Sequence, residues 1–221
     1  MNSDHKAVKR LIFGTSGSGK STMFKTLVQS PGYKYRFVFD WDLKIATELG
    51  WQAAVDVRGL CRLLDAGRPV VFYPEEMFSD LEDAWGFFCR FVLDISKRLK
   101  GKKLLAGDEA QLYTTTNHAK FQASFLHLLN YGRNHEIDIL LAAQRIDGLN
   151  KRVTGQLTEI YVFKHADTDN EAFEELRKIG IDPDQVKALH HPSVSGKVSW
   201  IYRHCLTGRQ ETITHAISKT H

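Results

Sequence analysis

Gly14–Thr22 reads GTSGSGKST, and this stretch decides the fold. Gly14, Gly19, Lys20 and Ser21 satisfy the pattern G-x-x-x-x-G-K-[ST]. Glycines let the backbone curl until its N–H groups point at phosphate oxygens, and a helix opening at that spot adds a favourable dipole. Upstream, KRLIFG (Lys9–Gly14) is a short apolar run that predicts a buried strand. Downstream, KSTMFKTLVQS puts Met23, Phe24, Leu27 and Val28 at helical spacing, and SPG at Ser30–Gly32 stops it. Strand, turn and helix together predict that Gly14, Thr15, Ser16, Gly17, Ser18, Gly19, Lys20, Ser21 and Thr22 wrap the phosphates of ATP. Lys20 would bridge the β- and γ-phosphates, and Ser21 would hold Mg²⁺.

Working outward, strand and helix signals alternate. Apolar runs at YRFVFD (Tyr35–Asp40), RPVVFYP (Arg68–Pro74), KKLLAGDEA, IDILLAAQ (Ile137–Gln144) and EIYVFKH (Glu159–His165) predict strands. GLCRLLDAG (Gly59–Gly67) predicts a short helix. SDLEDAWGFFCRFVLDISKRLKG predicts a long one, with Ser79 and Glu82 as a capping box and Leu81, Trp85, Phe88 and Val92 as the apolar stripe. AKFQASFLHLLNYGRNH predicts another, with Phe121, Phe125, Leu128 and Leu129 on one face. Short helices follow at Asn170–Ile179 and Asp182–His190, and the alternating end KVSWIYRH…GRQETITHAI predicts a hairpin. The order argues for an α/β fold: a mainly parallel sheet with helices on both faces, closed by a C-terminal β hairpin. No repeat or linker interrupts it, so residues 1–221 read as a single domain.

Two further strand ends carry chemistry. KLLAGDEAQ ends in Asp108 and Glu109: the first carboxylate suits a magnesium water, the second an attacking water. That pairing points to hydrolysis. ILLAAQR ends in Gln144 and Arg145, and on a strand adjacent to the loop strand Gln144 would face the γ-phosphate. Two strand candidates lie between Lys20 and Asp108, so a further strand is expected between the loop strand and the acidic strand. Small-molecule kinases usually set those two strands side by side and carry an Arg-rich lid, for which there is no segment here.

Composition bounds the rest. The 221 residues are 43% hydrophobic, enough for a sizeable core, and the net charge of +4 permits a nucleic-acid partner without requiring one. Cys61, Cys89 and Cys205 have no metal or disulfide spacing. MNSDHKAVKR lacks the apolar core of a signal peptide, and no run is long enough to span a bilayer, so a soluble protein is expected. The basic run KRLKGKK (Lys97–Lys103) precedes the acidic strand, at the end opposite the chemistry, and reads as a solvated loop. LYTTTNHAK (Leu112–Lys120) and RIDGLNKRVTG (Arg145–Gly155), with Lys120, Arg145, Lys151 and Arg152, follow catalytic strand ends and are the better candidates for contacts to a DNA backbone. His190 and His191 read as a surface loop.

FGTSGSGKST, FDWDLK, LLAGDEAQ and GRNHEIDILLAAQR, in that order, resemble the FtsK–HerA superfamily of DNA-pumping ATPases, over roughly Leu11 to Phe163. Asp40, Asp42 and Lys44 match that family's acidic second strand, and Gln111 matches the residue after its Asp-Glu pair. Ile146 departs from the pattern, standing where many relatives have proline. The resemblance implies a P-loop NTPase fold of the ASCE, RecA-like branch and a homo-oligomeric ring, usually a hexamer. It also implies ATP bound between subunits and an arginine from the neighbour at the γ-phosphate. Arg133 is the best match for that arginine and Arg145 its competitor. Membrane anchors, a winged-helix reader and an N-terminal barrel, found in other branches, have no counterpart in these residues. What remains resembles the genome-packaging ATPases of viruses with an internal membrane, such as tectivirus-type bacteriophages. It implies double-stranded DNA and a capsid vertex or portal-like protein as partners, in the host cytoplasm and the virion. A small-molecule kinase or a non-DNA assembly or secretion ATPase are the alternatives.

Overall fold

Apolar runs become strands here because each is short, bounded by turn residues and buried on both sides. The computed structural model describes residues 6–75, 77–114, 122–146, 148–165 and 170–217. Its strands are β1 (Lys9–Phe13), β2 (Tyr35–Phe39), β3 (Ala53–Ala54), β4 (Val70–Phe72), β5 (Lys103–Gly107), β6 (Ile137–Ala143), β7 (Glu159–Phe163), β8 (Lys197–His204) and β9 (Gln210–Ala216). Its helices are α1 (Lys20–Val28), α2 (Lys44–Leu49), α3 (Val57–Asp65), α4 (Leu81–Ser96), α5 (Ala123–Tyr131), α6 (Lys151–Thr154), α7 (Asn170–Lys178), α8 (Pro183–Lys187) and α9 (Pro192–Ser195). All strands join one sheet in the order β3-β4-β2-β5-β6-β1-β7-β8-β9. Pairings from β3 through β7 are parallel, while β8 and β9 return antiparallel as the expected hairpin.

Alternation along the strands feeds two cores. Leu11, Phe13, Phe37, Phe39, Leu105 and Leu141 point to one face, under the buried residues of α3, α4, α5 and α7. Ile12, Val38, Leu104 and Leu140 point to the other, where Phe24 and Val28 of α1 and Ile45 of α2 cover them. Every residue of β5 and β6 is buried, as central parallel strands require. The first face centres on an aromatic cluster. The Phe39 ring lies 4.9 Å from Tyr113, 5.3 Å from Trp85, 6.1 Å from Phe72 and 6.2 Å from Phe88.

Several expectations need correction. The long helix α4 is capped by Asp80, whose carboxylate accepts from the Glu82 N–H at 2.7 Å, and not by Ser79. Aspartate caps as well as serine, and Asp80 stands next to Leu81, the first residue of the apolar stripe. The basic run is not uniformly solvated: Lys103 is buried and donates to the carbonyls of Gly101 (2.8 Å) and His135 (2.9 Å). Lys102 pairs with the fully buried Asp138 at 3.1 Å, which also accepts from Tyr33 Oη and Val8 N. These groups tie the end of the sheet away from the glycine loop. Part of the predicted helix before Ala123, with Phe121, lies outside the described residues, as does Lys120. Among the described residues no helix is long and apolar enough to cross a membrane.

Phe39 is fully buried in the aromatic cluster, whereas Leu206, at the hairpin turn, is 75% exposed. Phe39→Ala is expected to cost about 3–5 kcal/mol in urea unfolding, and Leu206→Ala under about 0.5 kcal/mol. Equal costs would contradict this assignment of the core.

Candidate functional site

The loop between β1 and α1 lies flat on its neighbours, and two glycines make that possible. A Cβ on Gly14 would come within 2.6 Å of Phe163 Cβ. Gly19 has φ +103°, and a Cβ there would meet Val198 Cγ2 at 2.7 Å. Gly14 N donates to Ala143 O and Thr15 N to Lys164 O, both at 3.3 Å, anchoring the loop to the ends of β6 and β7. Gly19 is the N-cap of α1 and supplies no side-chain acceptor, and the first turn carries no acidic residue. By contrast Asp56, Asp80, Asn150 and Asp182 cap α3, α4, α6 and α8 with their own side chains. The positive end of α1 thus carries no side-chain cap and no carboxylate.

Because β6 lies between β1 and β5, the ends of these three strands converge on one spot. Lys20 Nζ, 4% exposed, is 3.1 Å from Asp108 Oδ1 and 3.4 Å from Glu109 Oε1. Glu109 Oε1 also accepts from Gln144 Nε2 at 2.6 Å, and its Oε2 accepts from Gln111 Nε2 at 2.5 Å. Gln111 Oε1 accepts in turn from Gln144 N at 3.3 Å. Glu109 holds a left-handed backbone (φ +53°), uncommon for a residue with a side chain and a mark of local strain at a site. Asp108 Oδ1 accepts from the Glu109 N–H at 2.9 Å, which helps hold that turn. Burial works against the Glu109 charge, but the hydrogen bonds from Gln144 and Gln111 and the Lys20 ammonium outweigh it and hold its pKa below the usual glutamate range.

The sequence-predicted residues thus divide. Lys20, Glu109 and Gln144 meet at one end of a cleft of about 640 Å³, with Asp108 paired to Lys20 and with Thr15, Ser16, Gly17, Gly19, Ser21 and Thr22 also along the cleft. Ser21 and Asp108 offer the hard oxygen donors that suit Mg²⁺. Arg133 does not join them. It is exposed in the 3-10 turn Gly132–His135 before β6, and Gln144 follows that strand, so the two are separated by seven strand residues, roughly 23 Å. Arg145 is exposed beside Gln144.

The acidic second strand has another task. Asp40 is buried and accepts from Ile45 N (3.2 Å) and Ala46 N (2.7 Å), capping α2. Burial raises its pKa to about 6 against the pull of those bonds. The cap sets Lys44, at the first position of α2, on the cleft wall. His191, read as surface loop, caps α9 and leans on the loop, its Nε2 3.5 Å from Ser16 O. Sequence reasoning also missed Trp200, His215 and Ile217 at the far end of the cleft. The strand alternation that put Val198 and Trp200 on one face was the available signal.

No family model matches the chain, and no curated protein matches it in sequence. Solved structures do share its fold. The genome packaging NTPase B204 from Sulfolobus turreted icosahedral virus 2, in complex with AMPPCP, is 16% identical with a TM-score of 0.73, covering 93% of this chain and 96% of that one. The cytoplasmic domain of the Thermomonospora curvata type VII secretion ATPase EccC is 12% identical with a TM-score of 0.58, covering 97% of this chain and 24% of that one. EssC (ATPases 2 and 3) from Geobacillus thermodenitrificans gives 15% identity and a TM-score of 0.58, covering 96% and 40%. The fold is therefore that of the P-loop NTPases.

Glu109 is expected to titrate below its ordinary 4.5 in the folded chain. Its ionised form then contributes stability above the unfolded-state pKa of about 4.3, a contribution lost as pH falls through the folded value. Gln144→Leu removes one donor and should move the midpoint upward in a carboxyl ¹³C NMR titration. A midpoint that stays put would overturn the role given to Gln144.

Proposed function

We propose that this chain is a Mg²⁺-dependent ATP hydrolase of the FtsK–HerA superfamily that drives double-stranded DNA, packaging a viral genome into a preformed capsid. One observation carries the reading. Glu109, a carboxylate kept ionised, stands with Lys20 at the phosphate end of the cleft, across an interposed strand that Gln144 directly follows. A carboxylate there polarises water, so the reaction is hydrolysis. The interposed β6 speaks against a small-molecule kinase. The likeness of fold to the packaging NTPase B204 supports the DNA reading.

On this reading the loop amides and the open end of α1 bind the phosphates, and Lys20 bridges the β- and γ-groups. Ser21 and Asp108 would hold Mg²⁺, which when bound neutralises charge on the phosphates. An incoming γ-phosphate gives Lys20 a competing partner, so Glu109 loses one of its ties as substrate arrives. Gln144, bound to Glu109 and one residue past β6, senses that change. Oligomerisation into a ring, a hexamer on the family pattern, completes the site with a neighbour's arginine. Arg133, remote from its own loop and exposed, is the residue proposed for that role on the family pattern, and Arg145 is the alternative. Exposed Lys151 and Arg152 on α6 would hold the DNA backbone without reading bases. Capsid-vertex or portal-like partners and a place in the host cytoplasm and virion follow from the packaging role. The likeness to EccC and EssC supports a second reading, a secretion or assembly ATPase acting on protein.

ATP turnover is expected to rise with double-stranded DNA and to fall at least about a hundredfold in Lys20→Ala and Glu109→Gln. Wild-type turnover in Glu109→Gln would sink the water-polarising role. Turnover that answers a virion protein but never DNA would favour the second reading. Mixing Arg133→Ala with Lys20→Ala chains should restore activity if Arg133 acts in trans, and no recovery would remove it from that role.

A further inference from the structure

The cleft extends past the phosphate loop, and the terminal hairpin builds its far end. Strand β8 sets Trp200 opposite Phe163 of β7, and β9 sets His215 opposite Val198. Their rings form a column. Phe163 stacks on Trp200 with centroids 5.6 Å apart, and Trp200 stacks on His215 at 5.1 Å with only 6° between the planes. Phe163 at the base is 1% exposed and touches the loop glycines, while His215 at the top is exposed and lines the cleft. Ile217, 44% exposed, extends the same wall. Met23 and Thr26 of α1 also line the cleft.

Among the described residues the charged side chains on the cleft wall are Lys20, Lys44 and Glu109. All three belong to strand ends or helices on the β1, β2 and β5 side, away from the hairpin. The Thr26 hydroxyl is already used, donating to Thr22 O at 2.9 Å. Among the described residues the far end offers flat aromatic and apolar surface and no carboxylate or side-chain amide; the side-chain polar atoms of its rings are the buried Trp200 Nε1 and the ring nitrogens of His215. We infer that the Trp200–His215 column is the nucleobase subsite, and that it holds the base by stacking without reading it, so that the chain takes nucleoside triphosphates with little regard to the base. This rests on the nucleotide-binding reading above. Every base has a π-face, so stacking adds affinity without discrimination. The column also stands on Phe163, which packs against Gly14 and Gly19, so base and phosphates share one rigid support.

Calorimetric titration of the full chain with ATP, GTP and inorganic tripolyphosphate, each with Mg²⁺, tests the inference. ATP and GTP should bind within about threefold of each other and tripolyphosphate at least about tenfold more weakly. Trp200→Ala, which removes the ring that supports His215, should weaken both nucleotides about threefold and leave tripolyphosphate unchanged, with Trp200→Phe restoring most of the loss. His215→Ala, on the exposed edge strand, removes the ring with the open face and should weaken the nucleotides about tenfold. It decides the matter if Trp200→Ala unfolds: an unchanged ATP affinity in His215→Ala overturns the proposal. So does ATP bound a hundredfold tighter than GTP, which would mean that the base edge is read. Tripolyphosphate bound as tightly as ATP overturns the base subsite alone. Failure of all three probes to bind overturns the nucleotide site itself.

Discussion

A buried lysine ammonium cannot stand alone, and the pairing of Lys20 with Asp108 and Glu109 constrains everything around it. Leaving either side of such a pair unmatched costs several kcal/mol. The contact needs β1 and β5 to end at the same height though they are not neighbours, and β6 must fill the gap with a side chain that completes the network. Gln144 does so, and Gln111 closes the ring from the turn after β5. The uninterrupted burial of β5 and β6 fixes the level at which those chain ends emerge.

The same network holds Glu109 in a bound state. Its two oxygens accept from Lys20, Gln144 and Gln111, and its backbone is in a strained region. A carboxylate so engaged is ionised but has little capacity left for a water. On the proposed reading this is the resting arrangement. Phosphate competes for Lys20, the network loosens, and Glu109 becomes available only when substrate is present. Strain at Glu109 and a low pKa thus serve one end: a base that stays charged and is withheld until needed.

How much of this was legible in the sequence depended on length and pattern. The loop, the central strands and α1, α4 and α5 are long or apolar enough to declare themselves, and Asp108, Glu109 and Gln144 stand at strand ends that could be read directly. The short elements α2, β3, α6 and α9 were not legible, because two to six residues are too few for a period to repeat and be recognised. Lys103 misled for a different reason. A basic run predicts solvent, yet two carbonyls fixed by the chain reversal at Gly101 and His135 satisfy its ammonium inside the protein. Trp200 and His215 were hidden because their meaning lies in hairpin register. Alternation told which face each occupies, but only the diagonal pairing across β8 and β9 stacks the rings.

The hairpin is therefore part of the site and not an ornament on the sheet's edge. Val198 and Phe163 occupy the space that side chains at Gly19 and Gly14 would need. The loop can lie this close only because both positions are glycine, and in return the hairpin holds the loop's curl against the end of β7. A change that moves β8 would move the loop, and a ligand that presses on the loop would be felt at Trp200. The fold thus joins the two ends of the cleft through direct packing, with the glycine loop and the aromatic column as opposite faces of one contact.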